Sequence, residues 1–195
     1  MSTPLPAVHV ADRLPRPGVR AFAPATVSNV GPGFDIMGFA LHRPGDTVDA
    51  ELRDEPGVQV AAITGDGGIL PRAAGSNAAA AAAASVLRAA ASLTASEGPQ
   101  RGIRLTLHKG LPLQSGLGSS GASAAAGAFA ANELLGRPFT PAELVPHGIA
   151  GERAACGSAH ADNVAPSLLG GFVLIRSYHP LDLVRGSRRR PVQLW

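Results

Sequence analysis

The sequence predicts one domain of the α+β class, and three observations lead to that prediction. A length of 195 residues fits a single domain. Segments with strand and helix patterns follow in the order strands, helix, strand, helix, helix, strand, rather than in a regular alternation. The 24 glycines and 17 prolines indicate many turns between those segments.

The ends of the chain differ in composition from the middle. Residues 1–18 contain four prolines and no hydrophobic period, which predicts a disordered leader. Residues 19–185 carry the strand and helix patterns and are predicted to form the folded domain. Residues 186–195 are rich in arginine and are predicted to be a divergent, solvated tail.

Strand patterns occur in five segments. The first, "VRAFAPAT" from Val19, is followed by a predicted break at "VSNVGPGFD". The second and third, "DTVDAEL" and "VQVAAI", flank Pro56-Gly57 and are predicted to form a hairpin or two paired strands. "GIRLTLHK" alternates cleanly and predicts a half-buried strand, and "GGFVLI" predicts a short buried one.

Helix patterns occur in three segments. Residues 76–92 are mostly alanine, with very high helix propensity, and Ser76 or Asn77 could cap that helix. A second helix is predicted to follow a glycine–serine stretch and to run to about Leu135. A third, over residues 140–156, begins with Thr140-Pro141, but its Pro146 should kink or interrupt it.

Composition and charge exclude several classes of protein. The formal net charge is +3, and the chain lacks the aromatic residues that would accompany its terminal arginines in an RNA-binding surface, so no nucleic-acid partner is predicted. No stretch of about 18 residues is apolar enough to span a membrane. No signal peptide is recognisable. Cys156 is the single cysteine, which excludes an internal disulfide and fits a reducing cytoplasm.

The stretch "LPLQSGLGSSGAS", residues 111–123, lies between a strand and the second helix. Glycines let the backbone approach a ligand closely, and the first helical turn offers unpaired N–H groups and partial positive charge. Such a junction can cradle phosphate. It is not the common P-loop, since no lysine follows the glycines. A turn that lets an alanine helix pack on a sheet explains the loop equally well.

The same stretch resembles the P-x-x-x-G-L-G-S-S-A-A signature of the GHMP kinases, small-molecule kinases that include homoserine and mevalonate kinases. Gly121 departs from that signature, which usually has alanine there. The resemblance implies the N-terminal domain of that family, with a fold like domain 2 of ribosomal protein S5, and a second, C-terminal domain that has no counterpart in the sequence. It also implies ATP binding by Pro112, Leu113, Gln114, Ser115, Gly116, Leu117, Gly118, Ser119, Ser120, Gly121 and Ala122.

A second resemblance covers "FAPATVSNVGPGFDIMGFAL", residues 22–41, which is similar to the first strand–turn–strand of the family's homoserine kinases. Asn29 and Asp35 flank a glycine–proline turn that could simply join two strands. The resemblance implies that both side chains bind the substrate amino acid.

A third resemblance covers residues 151–175. Glu152 lies on a predicted helix, and His160, Asp162 and Asn163 are predicted to lie in a loop before a strand. The spacing of that cluster is poor for a metal site, and a hydrogen-bonded loop is the alternative. The resemblance implies that Glu152 helps to hold Mg²⁺, with Ser120, and that His160 and Asn163 contact homoserine.

Asn77 has two interpretations. In the wider family an asparagine at this position touches the adenine, whereas the pattern alone favours an N-cap for the alanine helix.

Together the resemblances imply ATP- and Mg²⁺-dependent phosphorylation of the L-homoserine hydroxyl to O-phosphohomoserine, a step of threonine biosynthesis, by a cytoplasmic homodimer. No residue is assigned as catalytic, and Asp35 is expected to bind substrate rather than act as a base. Two alternatives stay open. One is a non-catalytic, nucleotide-binding fragment, and the other is a GHMP kinase for another small alcohol.

Overall fold

The structure is a computed structural model that describes residues 8–13, 18–93, 101–157 and 160–186. It contains a mixed sheet and four helices within those residues, as expected for an α+β domain. The strands are β1 (His9–Arg13), β2 (Gly18–Val30), β3 (Gly33–Arg53), β4 (Val58–Thr64), β5 (Gly102–His108), β6 (Phe172–Tyr178) and β7 (Leu181–Arg185), and the helices are α1 (Ala78–Leu93), α2 (Ser119–Leu134), α3 (Val145–Cys156) and α4 (Ala161–Leu169).

The sheet is organised around the long strand β3. Its strands lie in the order β1-β2-β3-β5-β4, and β6 and β7 extend from the first half of β3. Residues 37–39 of β3 pair with β6, whereas residues 47–53 pair with β5. Between these halves the register against β2 shifts, from Pro24↔Gly45 to Thr26↔Ala40. One strand therefore connects the two ends of the sheet.

The core lies between one face of the sheet and the helices. On β5 the apolar residues alternate with polar ones, and Ile103, Leu105 and Leu107 are fully buried while Arg104 is exposed. This confirms the half-buried strand that the alternation predicted. Helices α2 and α4 pack on β2 and β3, α1 packs towards β4 and β5, and α3 packs mainly on the other helices.

Small side chains allow the helices to pack very closely. Most buried positions of α1 and α2 are alanines. A Cβ added to Gly127 on α2 would overlap the backbone carbonyl of Ala79 on α1, and one added to Gly151 on α3 would overlap the carbonyl of Ala78. The alanine-rich sequence therefore has two effects. It favours helix formation, and its small side chains allow a short distance between the helix axes.

Three strand predictions need correction. His9–Arg13 form β1 and pair with β2, so this part of the predicted disordered leader is a strand. The predicted break after "VRAFAPAT" is also wrong, because β2 continues to Val30 and only Gly31-Pro32 turn the chain. The prediction that β3 and β4 form a hairpin or pair with each other is wrong as well. β5 lies between those two strands, and β4 pairs with it in parallel.

Two helix predictions need correction too. Pro146 does not interrupt a helix, since α3 begins at Val145 and places the proline in its first turn, where no N–H is needed. The predicted loop around Asp162 and Asn163 is instead the first turn of α4, with His160 as its N-cap. The predicted arginine-rich tail lies outside the described residues, apart from Gly186.

We expect Gly127→Ala to destabilise the domain, although alanine is the better helix former by about 1 kcal/mol. The new methyl group would meet the backbone of Ala79, which cannot move without separating α1 from α2. A net loss of about 1–3 kcal/mol in the free energy of unfolding should be measurable by urea denaturation. Gly75→Ala is the control, because its Cβ would meet no atom within 4 Å. Equal stabilities of the two variants would contradict the close packing.

Candidate functional site

A cavity of about 500 Å³ opens beside the N-terminal end of α2. Its floor is the loop that precedes α2, and its walls come from α3 and from the segment before α1. Ile69, Leu70 and Pro71 give one side an apolar surface. Of the residues predicted to bind ATP, metal or substrate, those that line the cavity are Asn77, Leu113, Gln114, Ser115, Gly116, Gly118, Ser119, Ser120, Glu152 and Asn163.

The loop over residues 111–118, here called the phosphate loop, has a backbone that needs glycine. Gly116 has a φ of 74°, and Gly118, the N-cap of α2, has a φ of 64°. Leu111 anchors the loop in the core with 1% of its surface exposed. The Thr26 N–H of β2 donates to the Leu117 carbonyl at 3.1 Å. These contacts aim the first turn of α2, and its N–H groups, towards the cavity.

Ser120 and Glu152 meet at the cavity wall. The Ser120 Oγ donates to Glu152 Oε1 at 2.8 Å. Glu152 Oε2 is buried and has no hydrogen-bond partner among the described residues. A buried carboxylate oxygen without a partner is costly, and a divalent cation would satisfy it. Ser120 and Glu152 therefore fit the metal-binding role that was predicted for them.

The charge around Glu152 also favours a cation. Burial raises the pKa of Glu152, the Ser120 hydrogen bond opposes that shift, and the charge of Asp162 adds to it. Burial likewise raises the pKa of Asp162, which is 2% exposed. The described residues contain no group of three His, Cys, Asp or Glu side chains that could hold a metal ion by themselves.

Asn29, Asp35 and His160 come together near the turn between β2 and β3 and the N-terminal end of α4, and none of the three lines the cavity. The Asp35 N–H donates to Asn29 Oδ1 at 2.9 Å, and both residues have positive φ. Asn29 thus stabilises the turn, as its pattern alone suggested. His160 Nδ1 lies 3.4 Å from Asp35 Oδ1, and both side chains remain about 40% exposed. The structure therefore brings His160, from a distant part of the sequence, next to the Asn29–Asp35 turn and leaves an acidic and an imidazole group accessible.

Asn163 lies between this cluster and the phosphate loop. Its Oδ1 accepts a hydrogen bond from Thr26 at 2.8 Å, and its Nδ2 donates to Ser28 at 3.2 Å. A Cβ on Gly121 would come within 3.0 Å of the Asn163 Cβ. The glycine that departs from the family signature therefore sits where α2 approaches α4 most closely.

Sequence reasoning missed several residues that build the site. Tyr178 donates to the Asp35 carbonyl at 2.9 Å and accepts from the Ala161 N–H at 3.3 Å, so it joins the turn to α4. Asp46 and Lys109 form a buried ion pair beneath the phosphate loop. The available signal for Asp46 was a charged residue at the start of a predicted strand. The sequence does not indicate that Lys109 is its partner.

Asn77 caps α1. Its Oδ1 accepts from the Ala80 N–H at 3.2 Å, and its Nδ2 donates to the Pro71 carbonyl at 3.0 Å. The capping interpretation is therefore correct, and adenine contact stays a prediction.

We expect Gly118→Ala to damage the phosphate loop more than Gly116→Ala. Both substitutions force alanine into a left-handed conformation, at about 1–2 kcal/mol each. At Gly118 the new Cβ would also strike Thr26 Oγ1 and approach Asn163 Oδ1, whereas at Gly116 it would meet nothing within 4 Å. Urea denaturation of both variants measures the difference. Equal unfolding midpoints would show that the Thr26–Asn163 contact does not hold Gly118 in place.

Comparison with known proteins gives the same assignment for the domain. The family model for the GHMP kinase N-terminal domain matches residues 85–171. A homoserine kinase of Chlorobium phaeobacteroides strain BS1 is 52% identical over 172 residues, which are 85% of this chain and 53% of that protein. A homoserine kinase of Xanthomonas campestris pv. campestris is 46% identical over 80% of this chain and 46% of its own length.

Solved structures of kinases have a similar fold. A homoserine kinase from Cytophaga hutchinsonii superposes with a TM-score of 0.78 at 48% identity, covering 91% of this chain and 54% of that one. Mevalonate kinase from Methanococcus jannaschii shares the fold alone, with a TM-score of 0.60 at 14% identity over 89% of this chain and 57% of that one. The chain spans about half the length of the curated relatives it matches. None of the described helices is both long and apolar enough to cross a membrane.

Proposed function

The chain belongs to the GHMP kinase family, as its N-terminal domain, and from this premise we propose that it forms the nucleotide-binding part of a homoserine kinase. The reaction would transfer the γ-phosphate of ATP to the hydroxyl of L-homoserine, giving O-phosphohomoserine and ADP. The observation that carries the proposal is the pair of Ser120 and Glu152 beside the phosphate loop, with a buried carboxylate oxygen free for a cation. We assign residues 19–185 to this nucleotide-binding domain.

The cavity suits a nucleoside triphosphate, because it offers an apolar side for the base and helix N–H groups for the phosphates. The apolar side at Ile69, Leu70 and Pro71 fits a purine base, and the first turn of α2 lies where phosphates would accept N–H hydrogen bonds. Ser120 and Glu152 would hold Mg²⁺, which neutralises charge on the phosphate oxygens when it is bound. A phosphoryl transfer of this kind depends on alignment and charge neutralisation more than on covalent chemistry.

The substrate side would be formed by Asn29, Asp35, His160 and Asn163. Asp35 is a partly exposed carboxylate and can pair with the ammonium group of an amino acid. Asn163 stands between the cluster and the phosphate loop, where a hydroxyl in line with the γ-phosphate would lie. Homoserine is favoured over other small alcohols because the relatives that cover most of this chain are named homoserine kinases.

The test is a panel of alcohols, namely L-homoserine, L-threonine, mevalonate and galactose, each with Mg·ATP. ADP release is measured, and ³¹P NMR identifies the product. We expect homoserine to be the best acceptor and O-phosphohomoserine to be the product. Nucleotide binding without turnover of any alcohol would favour the non-catalytic alternative. Faster turnover of mevalonate or galactose would replace homoserine as the substrate.

Asp35→Asn should raise the KM for homoserine by roughly ten- to a hundredfold, because a charge-assisted hydrogen bond to the substrate ammonium is lost. Affinity for Mg·ADP, measured by calorimetry, should stay unchanged, since Asp35 does not line the nucleotide cavity. His179→Gln is a control on an exposed, ionisable side chain outside both groups of residues. A loss confined to kcat, with homoserine affinity intact, would show that Asp35 acts in the chemical step.

Magnesium affinity should depend on pH through Glu152. Because its pKa is raised in the fold, the protonated form stabilises the metal-free protein at low pH, and that stabilisation disappears as the pH rises through the raised pKa. Mg²⁺ requires the carboxylate, so its affinity in the presence of ADP should fall as the pH is lowered from neutral towards the ordinary range for glutamate. Glu152→Gln should weaken Mg²⁺ about 10–100-fold and flatten this dependence. An unchanged slope would exclude Glu152 as a ligand.

A further inference from the structure

Asp46 lies beneath the phosphate loop with none of its surface exposed. Its Oδ1 accepts hydrogen bonds from the N–H groups of Gly110 and Leu111, at 3.0 and 3.1 Å. These two residues lead from β5 into the loop. Its Oδ2 accepts from the Ser123 Oγ at 2.7 Å and from Lys109 Nζ. Ser123 belongs to the first turns of α2, so a single carboxylate holds both the entry and the exit of the loop.

Lys109 strengthens the connection to α2. Its Nζ donates to the Ser119 carbonyl at 3.1 Å, to the Ser119 Oγ at 2.7 Å and to the Ser123 Oγ at 2.9 Å, as well as to Asp46. The side chain is 1% exposed. An ammonium group has three N–H donors, and here four oxygen atoms surround it. The lysine is thus fully engaged within the protein, and its link to Ser119 fixes the first residue of α2.

Asp46 has little freedom to take another position. Gly110 packs so tightly against Gly45 that an added Cβ would overlap the Gly45 carbonyl. The strand that carries Asp46 and the entry of the loop are therefore in backbone contact. A substitution that removes the acceptor at Oδ2 would leave Lys109 without its counter-charge and the Ser123 hydroxyl without its acceptor, and only a movement of α2 or of the loop could compensate.

We propose that Asp46 is a positioning residue that clamps both ends of the phosphate loop and thereby sets the affinity of the site for nucleotide. The inference rests on the proposed nucleotide-binding function and names a residue that touches no phosphate itself. Asp46 acts through the N–H groups of Gly110 and Leu111 at one end, and through Ser119, Ser123 and Lys109 at the other.

The first test is the affinity of the full chain for Mg·ADP, measured by calorimetry, in the wild type and in Asp46→Asn. Asparagine keeps the shape and the Oδ1 acceptor but places an NH₂ group against Lys109 and Ser123. We expect affinity to fall about tenfold or more, as for other coupled buried pairs. Ser123→Ala is a milder change, which removes the Ser123 hydrogen bonds to Asp46 and Lys109 but keeps the ion pair. It should cause a smaller loss in the same direction and keeps the test available if Asp46→Asn folds poorly.

The matched control is Asn132→Asp, the reverse isosteric exchange near the C-terminal end of α2. Asn132 is 3% exposed and bonds the backbone of Phe139 through both side-chain atoms, far from the loop. Its variant should lose stability but keep the wild-type affinity for Mg·ADP. An equal loss of affinity in Asn132→Asp would overturn the positioning role, since general destabilisation would then explain the result.

Lys109 offers a second readout, because it is the only lysine in the sequence. Labelling with ¹⁵N-lysine should give one Nζ signal. We expect that signal to be protected from solvent exchange in the wild type and exposed to exchange in Asp46→Asn. Unchanged exchange together with unchanged affinity would overturn the clamp. A wild type that binds no Mg·ADP would instead overturn the proposed function itself and this inference with it, so the two failures are distinguishable.

Discussion

The buried carboxylate of Asp46 is the interaction on which the geometry of the site depends. A charged group without solvent is costly unless it is paired and fully hydrogen-bonded. Here the compensation comes from the segment after β5, from the phosphate loop and from α2, which must all meet at one point. Burial lowers the pKa of Lys109, while its attraction to Asp46 opposes that shift. Because the buried ion pair must be fully hydrogen-bonded to be stable, its partners can adopt only a narrow range of arrangements.

Near the other side of the cavity, the carboxyl groups of Glu152 and Asp162 disfavour each other's negative charge. Glu152 and Asp162 face the same region, and burial raises the pKa of each. Among the described residues, the buried Oε2 of Glu152 has no hydrogen-bond partner. The N-terminal end of α2 and the carboxylate of Glu152 thus border one cavity, which suits a ligand that carries both phosphates and a metal ion.

Local patterns and distant contacts contributed differently to the prediction. The alternation of β5, the alanine helix with its Asn77 cap and the end of α2 before Gly136 were all predictable, because each depends on residues within one or two turns. The pairing of β3 with β5 was not, since a strand pattern does not specify its neighbour. α4 was missed because Pro166 and two polar residues in its first turn resemble a loop. The side chain of Asn163 finds partners on a distant strand, since Thr26 and Ser28 of β2 bond it.

The sequence by itself determined the α+β class and the glycine–serine loop before α2, because helix propensity, strand alternation and turn chemistry are local properties. The candidate residues around the site came from the resemblance to a family. Only the tertiary structure decided that Asp46 lies under the loop, that Tyr178 joins Asp35 to α4, and that one buried oxygen of Glu152 has no partner in the described part of the chain. Those facts depend on which backbones approach one another. That approach is set by the packing of small side chains between helices and sheet, which no single segment encodes.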